Sequence, residues 1–344
     1  MATAFGARYR SVSNTRGKCA NDYAENLQPG PLPGDIAGTK ARLCRASAAS
    51  SKVNPRFVHV VNPVKVGPSS DLYTAQPITF ESMRVASQFA AAFSLNVQLC
   101  AVSFPEDDEI VPSFFGYRKH LHRSVLDVDT FSIPRKLPLI KDILDCAASA
   151  SDAEFIIYTN VDIAVLPNFY LSLDRIVNEG LDAFMVTRRT LSKDYKGTSE
   201  LWRMYADIGD AHPGDDCFVF RREAYPKYDV GDACIGVKYI ARLLAFNVIV
   251  HAHRFERFKN LHLTFHIGDE RIWHNDKWAD YTAHNERVLR RVVQQYKEAG
   301  KLVGNPLVDR WIKKFGSKPA PAVASPATES SAGKIRSGRR WRWW

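Results

Sequence analysis

An α/β fold with a mostly parallel sheet, flanked by helices, is what this 344-residue sequence predicts. Three observations lead there. Between residues 53 and 316, short apolar β-rich runs alternate with stretches whose apolar residues recur at helical spacing. Strands interleaved with helices in this way pair in parallel and are covered on both faces. The two ends of the chain carry no such periodicity.

Taken in order, residues 57–61 are the first β-rich run. Residues 78–93 place Phe80, Met83, Ala86 and Ala90 at helical spacing, and 97–104 form the second strand. Residues 137–148 carry an apolar helical stripe. The run 155–165 is the most apolar and is read as the third strand. Pro167 then opens a helix through 177, since proline fits the first helical turn. Residues 183–187 and 217–220 are further strands, 235–244 a helix, 248–250 and 261–267 late strands, and 276–299 a long charged amphipathic helix.

The formal charge of +10 is not spread over this region. Residues 1–52 hold eight Lys/Arg against three Asp/Glu, and 317–344 hold six against one, so 53–316 is neutral with 33 of each sign. That distribution argues against a specific nucleic-acid binder, whose basic surface belongs to the fold itself. Residues 1–52 read as a disordered basic tail whose acid-poor composition leaves organelle targeting open. Residues 317–344 read as a Pro/Ala/Ser linker and a tail ending in Arg342-Trp343-Trp344, suited to weak contact with a membrane surface. The six cysteines form no C-x-x-C and read as reduced thiols. No run approaches a membrane span and no secretory h-region follows the start, so the expected location is cytoplasmic.

The chemistry centres on residues 154–167. A buried strand runs into Asn160-Val161-Asp162, and side chains at i and i+2 of a strand share a side. Two oxygen-bearing groups at a strand's carboxyl end suit a hard cation and a diphosphate. The alternative is a capped turn, which Asn and Asp also favour.

This layout resembles the GT-A glycosyltransferase fold, of the family-2-like kind, with Asn-x-Asp in place of Asp-x-Asp. The resemblance covers roughly residues 56–270. It includes Arg135-Lys136 ahead of a helix, the helix start at Pro167, Gly214-Asp215-Asp216 opening an apolar strand, and Gly231-Asp232 before a further helix. It implies a transferase that moves a sugar from a nucleoside-diphosphate donor (UDP or GDP) to a glycan, lipid or protein acceptor, with Mn²⁺ or Mg²⁺ as cofactor. Asp162, Asn160 and a late histidine, His266, would form the metal site. The donor would meet Asn62 and Pro63, Asp107, Arg135, Asn160, Asp162, Arg188 and Arg189. The Glu-Asp pair that often supplies the family's base falls near Ile235-Gly236, which has none, so Asp232, Asp216 or Asp215 takes that role if the reaction inverts. Trp202 and Trp273 are candidates for stacking on sugar rings. Two other readings stand beside this one. A catalytically silent protein would bind a sugar nucleotide or glycan, and a sugar nucleotidyltransferase would use the loop 63–71 as a phosphate cradle.

Overall fold

The computed structural model describes residues 55–268, 276–301 and 304–315. The expected basic N-terminal tail and the C-terminal linker and tail lie outside the described residues.

Strand β1 (Phe57–Val61) is buried at every position because it lies between two parallel neighbours, β2 (Val97–Ser103) and β4 (Phe155–Thr159). Its side chains alternate between two cores, as the strand's period of two requires. Val58 and Val60 join Ile156 and Tyr158 of β4 on one face. Phe57 and Val61 join Phe155 and Ile157 on the other. Helices cover both. α1 (Leu72–Ala92) and α3 (Phe169–Asn178) pack on the Phe57 face. α2 (Ile140–Ala150), α5 (Ile240–His251) and α6 (Ala279–Glu298) pack on the Val58 face, joined by α7 (Pro306–Phe315). Between α3 and α5 lies a shorter helix, α4 (Leu201–Ala206).

The sheet continues through β3 (Tyr117–His120), β5 (Ala164–Val165), β6 (Ala183–Leu191), β7 (Asp210–Arg221), β8 (Phe255–Phe258) and β9 (Thr264–Ile267), in the order β3-β2-β1-β4-β7-β6-β9-β5 with β8 also on β6. β7 runs antiparallel between β4 and β6, and β5 antiparallel to β9. The other pairings are parallel. β1, β2, β4 and β6 therefore end on one edge, where their connections gather. This is a GT-A-like α/β fold, with a mixed sheet flanked by helices. Among the described residues no helix is long and apolar enough to cross a membrane. Cys100, Cys146, Cys217 and Cys234 are free thiols.

Several elements differ from the sequence expectation. The run 155–165 is two strands, β4 and β5, separated by a turn. Residues 248–250, expected as a strand, complete α5; Val248 and Ile249 are buried there, and packing overrides their β preference. The helix expected from 235 starts at Ile240, because the chain before it is held by side chains of α6. The helix expected at Pro167 starts at Phe169. His251 ends α5 and His262 adopts φ 48°, so neither lies on the late strands expected at 248–250 and 261–267. β3 is exposed at all four positions and carries no apolar signature.

In the middle of β1, His59 is fully buried, with Nδ1 2.8 Å from the Tyr170 hydroxyl and Nε2 2.9 Å from Thr159 Oγ1. Burial pushes its pKa down to about 3. The unfolded chain takes up this proton near pH 6.5, the folded chain only near pH 3. The stabilisation from a neutral His59 is complete above pH 6.5 and is lost on acidification, at up to about 1.4 kcal/mol per pH unit. NMR titration should find the ring neutral at about pH 5; a midpoint near the ordinary value would contradict the burial argument.

Candidate functional site

β4 pairs with β7 from Phe155↔Arg221 to Thr159↔Cys217. The chain then reverses, and the Asn160 carbonyl accepts the Ile163 N–H at 3.1 Å, closing a β-turn. Asn160 and Asp162 are therefore the first and third residues of a turn, not neighbours on one strand face. Their side chains separate accordingly. Asn160 Oδ1 accepts the Tyr158 hydroxyl at 3.1 Å. Asp162 Oδ2 lies 3.0 Å from His266 Nε2, while its Oδ1 is buried without a hydrogen-bond partner.

His266 reaches this turn because β9 pairs with both β6, as Thr190↔His266, and β5, as Ala164↔Phe265. Its Nδ1 lies 2.6 Å from the Gly268 carbonyl. A carbonyl on one side and a carboxylate on the other ask both ring nitrogens to donate, which favours the imidazolium. Burial alone would lower the His266 pKa, but the bond to Asp162 and its charge outweigh this and raise it. For Asp162, burial pushes upward, and His266 together with Arg188 pulls the net value below the usual carboxylate range.

The β6–β7 ladder supplies the second pair. Val186 pairs with Cys217 and Thr187 with Asp215, so Asp216 is an extra residue in β7. From there to Arg189↔Ala211, residues 212–214 face Arg188 alone. Such bulges re-aim side chains. Arg188 Nη1 meets Asp216 Oδ2 at 3.0 Å, with the two side chains 7% and 13% exposed. His212 Nε2 lies 3.4 Å from Arg188 Nη2. Burial raises the Asp216 pKa; Arg188 opposes this and Asp162 adds to it, and the net stays high. Asp215 points away, to Arg257 Nε at 2.7 Å, and burial raises its pKa as well.

The remaining candidates lie elsewhere. The Arg189 guanidinium donates to the carbonyls of Ile208 and Gly209, at 2.7 and 2.6 Å, and pins the connection 192–209. Gly209 is obligatory there: its φ is 56°, and an added Cβ would sit 2.4 Å from the Thr190 carbonyl oxygen. Asp232 is half-exposed, 3.7 Å from Arg123. Arg135 lies over the Trp278 ring and donates to the Lys277 carbonyl, which occupies the group expected to meet diphosphate. Asn62 donates to the Val102 carbonyl at 2.6 Å, tying β1 to β2, and Pro63 is buried beside it. Asp107 accepts the Lys65 N–H at 2.7 Å, and burial raises its pKa. Trp202, on α4, is 70% exposed. Trp273 lies outside the described residues. Sequence reasoning missed Tyr158, His212 and Arg257; only the bulge register brings the last two in.

Among the described residues, no three His, Cys, Asp or Glu side chains converge as a metal cage. Asp162, with one uncommitted oxygen, fits an open site, and His266, with Nδ1 fixed on a carbonyl, joins it where Nε2 gives up its proton and its bond to Asp162. Mg²⁺-type sites often use one or two protein groups and take the rest from phosphate and water. The Asn160 amide oxygen keeps a second lone pair.

The sequence matches no protein-family model and no curated protein. Among solved structures, residues 1–349 of S. aureus TarS in complex with UDP-GlcNAc resemble it at a TM-score of 0.42 and 10% identity, over 76% of this chain and 80% of that one. The same TarS fragment with UDP gives 0.40 and 8%, over 71% and 72%. At these scores the similarity assigns no role to any residue here.

Removing one partner of a buried ion pair strands the other charge. Arg188→Ala should therefore cost about 3–5 kcal/mol at neutral pH in urea unfolding. The loss should shrink toward pH 5, because protonation of Asp216 in the folded state relieves the stranded charge. A pH-independent loss would point to packing instead.

Proposed function

We propose that this chain is a glycosyltransferase that moves a sugar from a nucleoside-diphosphate donor, UDP- or GDP-linked, to an acceptor hydroxyl. The observation that carries this reading is the buried, unpartnered Asp162 oxygen at the carboxyl edge of the sheet, beside His266 and the Arg188–Asp216 pair. Asp162, His266 and Asn160 would hold Mn²⁺ or Mg²⁺; a bound cation there supplies Lewis-acid stabilisation of the departing diphosphate. Arg188 is a fixed positive charge in a dry site, where such a charge is worth most; His266 ligates only as the neutral ring, after Nε2 has given up its proton. Asp216, with its raised pKa and its place in the cluster, is the better-placed base for the acceptor proton. Asp232 is the more accessible alternative.

One observation favours a silent sugar-nucleotide binder as the second reading: the Asn160 amide oxygen is already bonded to Tyr158 and brings no charge. The nucleotidyltransferase reading loses support, because the Lys65 ammonium pairs with Glu109 at 2.6 Å instead of standing free over a phosphate loop.

Calorimetric titration of the full chain with UDP, GDP and their sugar conjugates, with and without Mn²⁺, tests the donor site. Asp162→Ala should weaken metal-dependent binding by at least about tenfold, or 1.4 kcal/mol. No binding to a folded wild type would end the glycosyltransferase reading. Donor turnover that falls in Asp216→Asn but survives in Asp232→Asn would identify the base, and absence of turnover with intact binding would leave the silent binder.

A further inference from the structure

A concavity opens on the same edge of the sheet and shares no residue with the Asp162 cluster. It measures about 490 Å³, within the range of small-molecule sites. Val64 and Val66 from the connection after β1, Leu72 and Phe80 from α1, and Ile110 and Phe114 from the connection after β2 wall it. Thr198 closes it from the connection after β6, the segment that Arg189 pins.

Its polar wall groups are already committed. Gln76 uses both ends of its amide on Val64, accepting the N–H at 2.9 Å and donating to the carbonyl at 2.8 Å. Glu81 takes Arg84 through both oxygens. What remains is the hydroxyls of Tyr73 and Thr198, both exposed residues. A nucleobase, a ribose or a sugar ring needs several buried hydrogen-bond partners, and an unmatched polar group is costly. This wall rewards apolar surface instead. The donor therefore belongs at the Asp162 cluster, and the cavity suits a different part of the reaction.

Position says which part. Val64 follows Asn62-Pro63, and Thr198 follows, on the same strand's connection, the Arg188 that meets Asp216. The exposed Trp202 lies one helical turn beyond Thr198. We propose that the cavity binds the apolar portion of an amphiphilic acceptor, an alkyl or aryl aglycone whose hydroxyl is the group to be glycosylated. The acceptor role rests on the glycosyltransferase reading; the apolar binding does not.

Octyl and ethyl β-D-glucoside, titrated calorimetrically into the full chain below the detergent's micelle concentration, are the probes. The octyl compound should bind at least about tenfold more tightly, because its added methylenes leave water. Thr198→Trp and Val66→Trp fill the cavity from an exposed and a half-exposed position, and thermal melts check their folding. Each should weaken octyl binding by at least about tenfold while leaving nucleotide binding unchanged. Asp162→Ala should do the reverse. Equal affinity for the two glucosides, or filled variants that still bind the octyl compound, would overturn the site. Octyl binding that persists in a protein that binds no nucleotide would overturn the acceptor assignment and locate the failure in the glycosyltransferase reading.

Discussion

The antiparallel ladder between β4 and β7 is where fold and site are joined. Its rungs, from Phe155↔Arg221 to Thr159↔Cys217, are anchored by Phe, Ile, Tyr and Val side chains that fill the two cores alternately. A slip of one residue would send every one of these side chains to the opposite face. The register is therefore held by burial along the whole strand. It fixes, without further cost, that the Asp215-Asp216 end of β7 arrives beside the turn carrying Asn160 and Asp162. The bulge at Asp216 then decides which of the two adjacent carboxylates faces that turn.

Burial at the ladder's end imposes an electrostatic condition. A carboxylate taken out of water is expensive unless a cation and hydrogen bonds accompany it. The protein meets this with two pairs drawn from four segments: Asp162 with His266, and Asp216 with Arg188. Neighbouring pairs are coupled. Arg188 helps to lower the pKa of Asp162, and Asp162 helps to raise that of Asp216. Arg189 and Asp215 show the same logic used structurally: each points away from the cluster and is spent on holding an adjacent segment.

The layers of the fold were legible in the sequence because strands buried on both faces leave uninterrupted apolar runs, as at 57–61 and 155–159. Where burial and local preference disagreed, the reading failed: Val248 and Ile249 look like strand residues, yet α5 buries them against the core. β3 left no trace, since an exposed edge strand needs no apolar period. Within the site, Asp162 could be picked out by its place after an apolar strand. The partnership with His266, 104 residues away, and the divergence of Arg188 from Arg189 depend on register shifts that no local pattern encodes. Arg135 carries a similar non-local contact: a cation near a strand end looks free in the sequence, and the aromatic ring beneath it, Trp278, comes from 143 residues further on.

The charge balance of the cluster bears on how a donor would enter it. Asp162 and Asp216 offset His266 and Arg188, so the four groups together are near neutral. An aspartate at position 160 would add a negative charge and attract a divalent cation before any donor arrived. Asn160 carries no such charge. A cation alone then finds two acidic groups already paired, and a diphosphate alone finds two cations already paired. Brought together, the cation and the diphosphate neutralise each other, and each completes the partners of the other, including the uncommitted Asp162 oxygen. Under the transferase reading, metal and donor should therefore bind as one event, each weak without the other, and the uncharged Asn160 bears on the order of assembly.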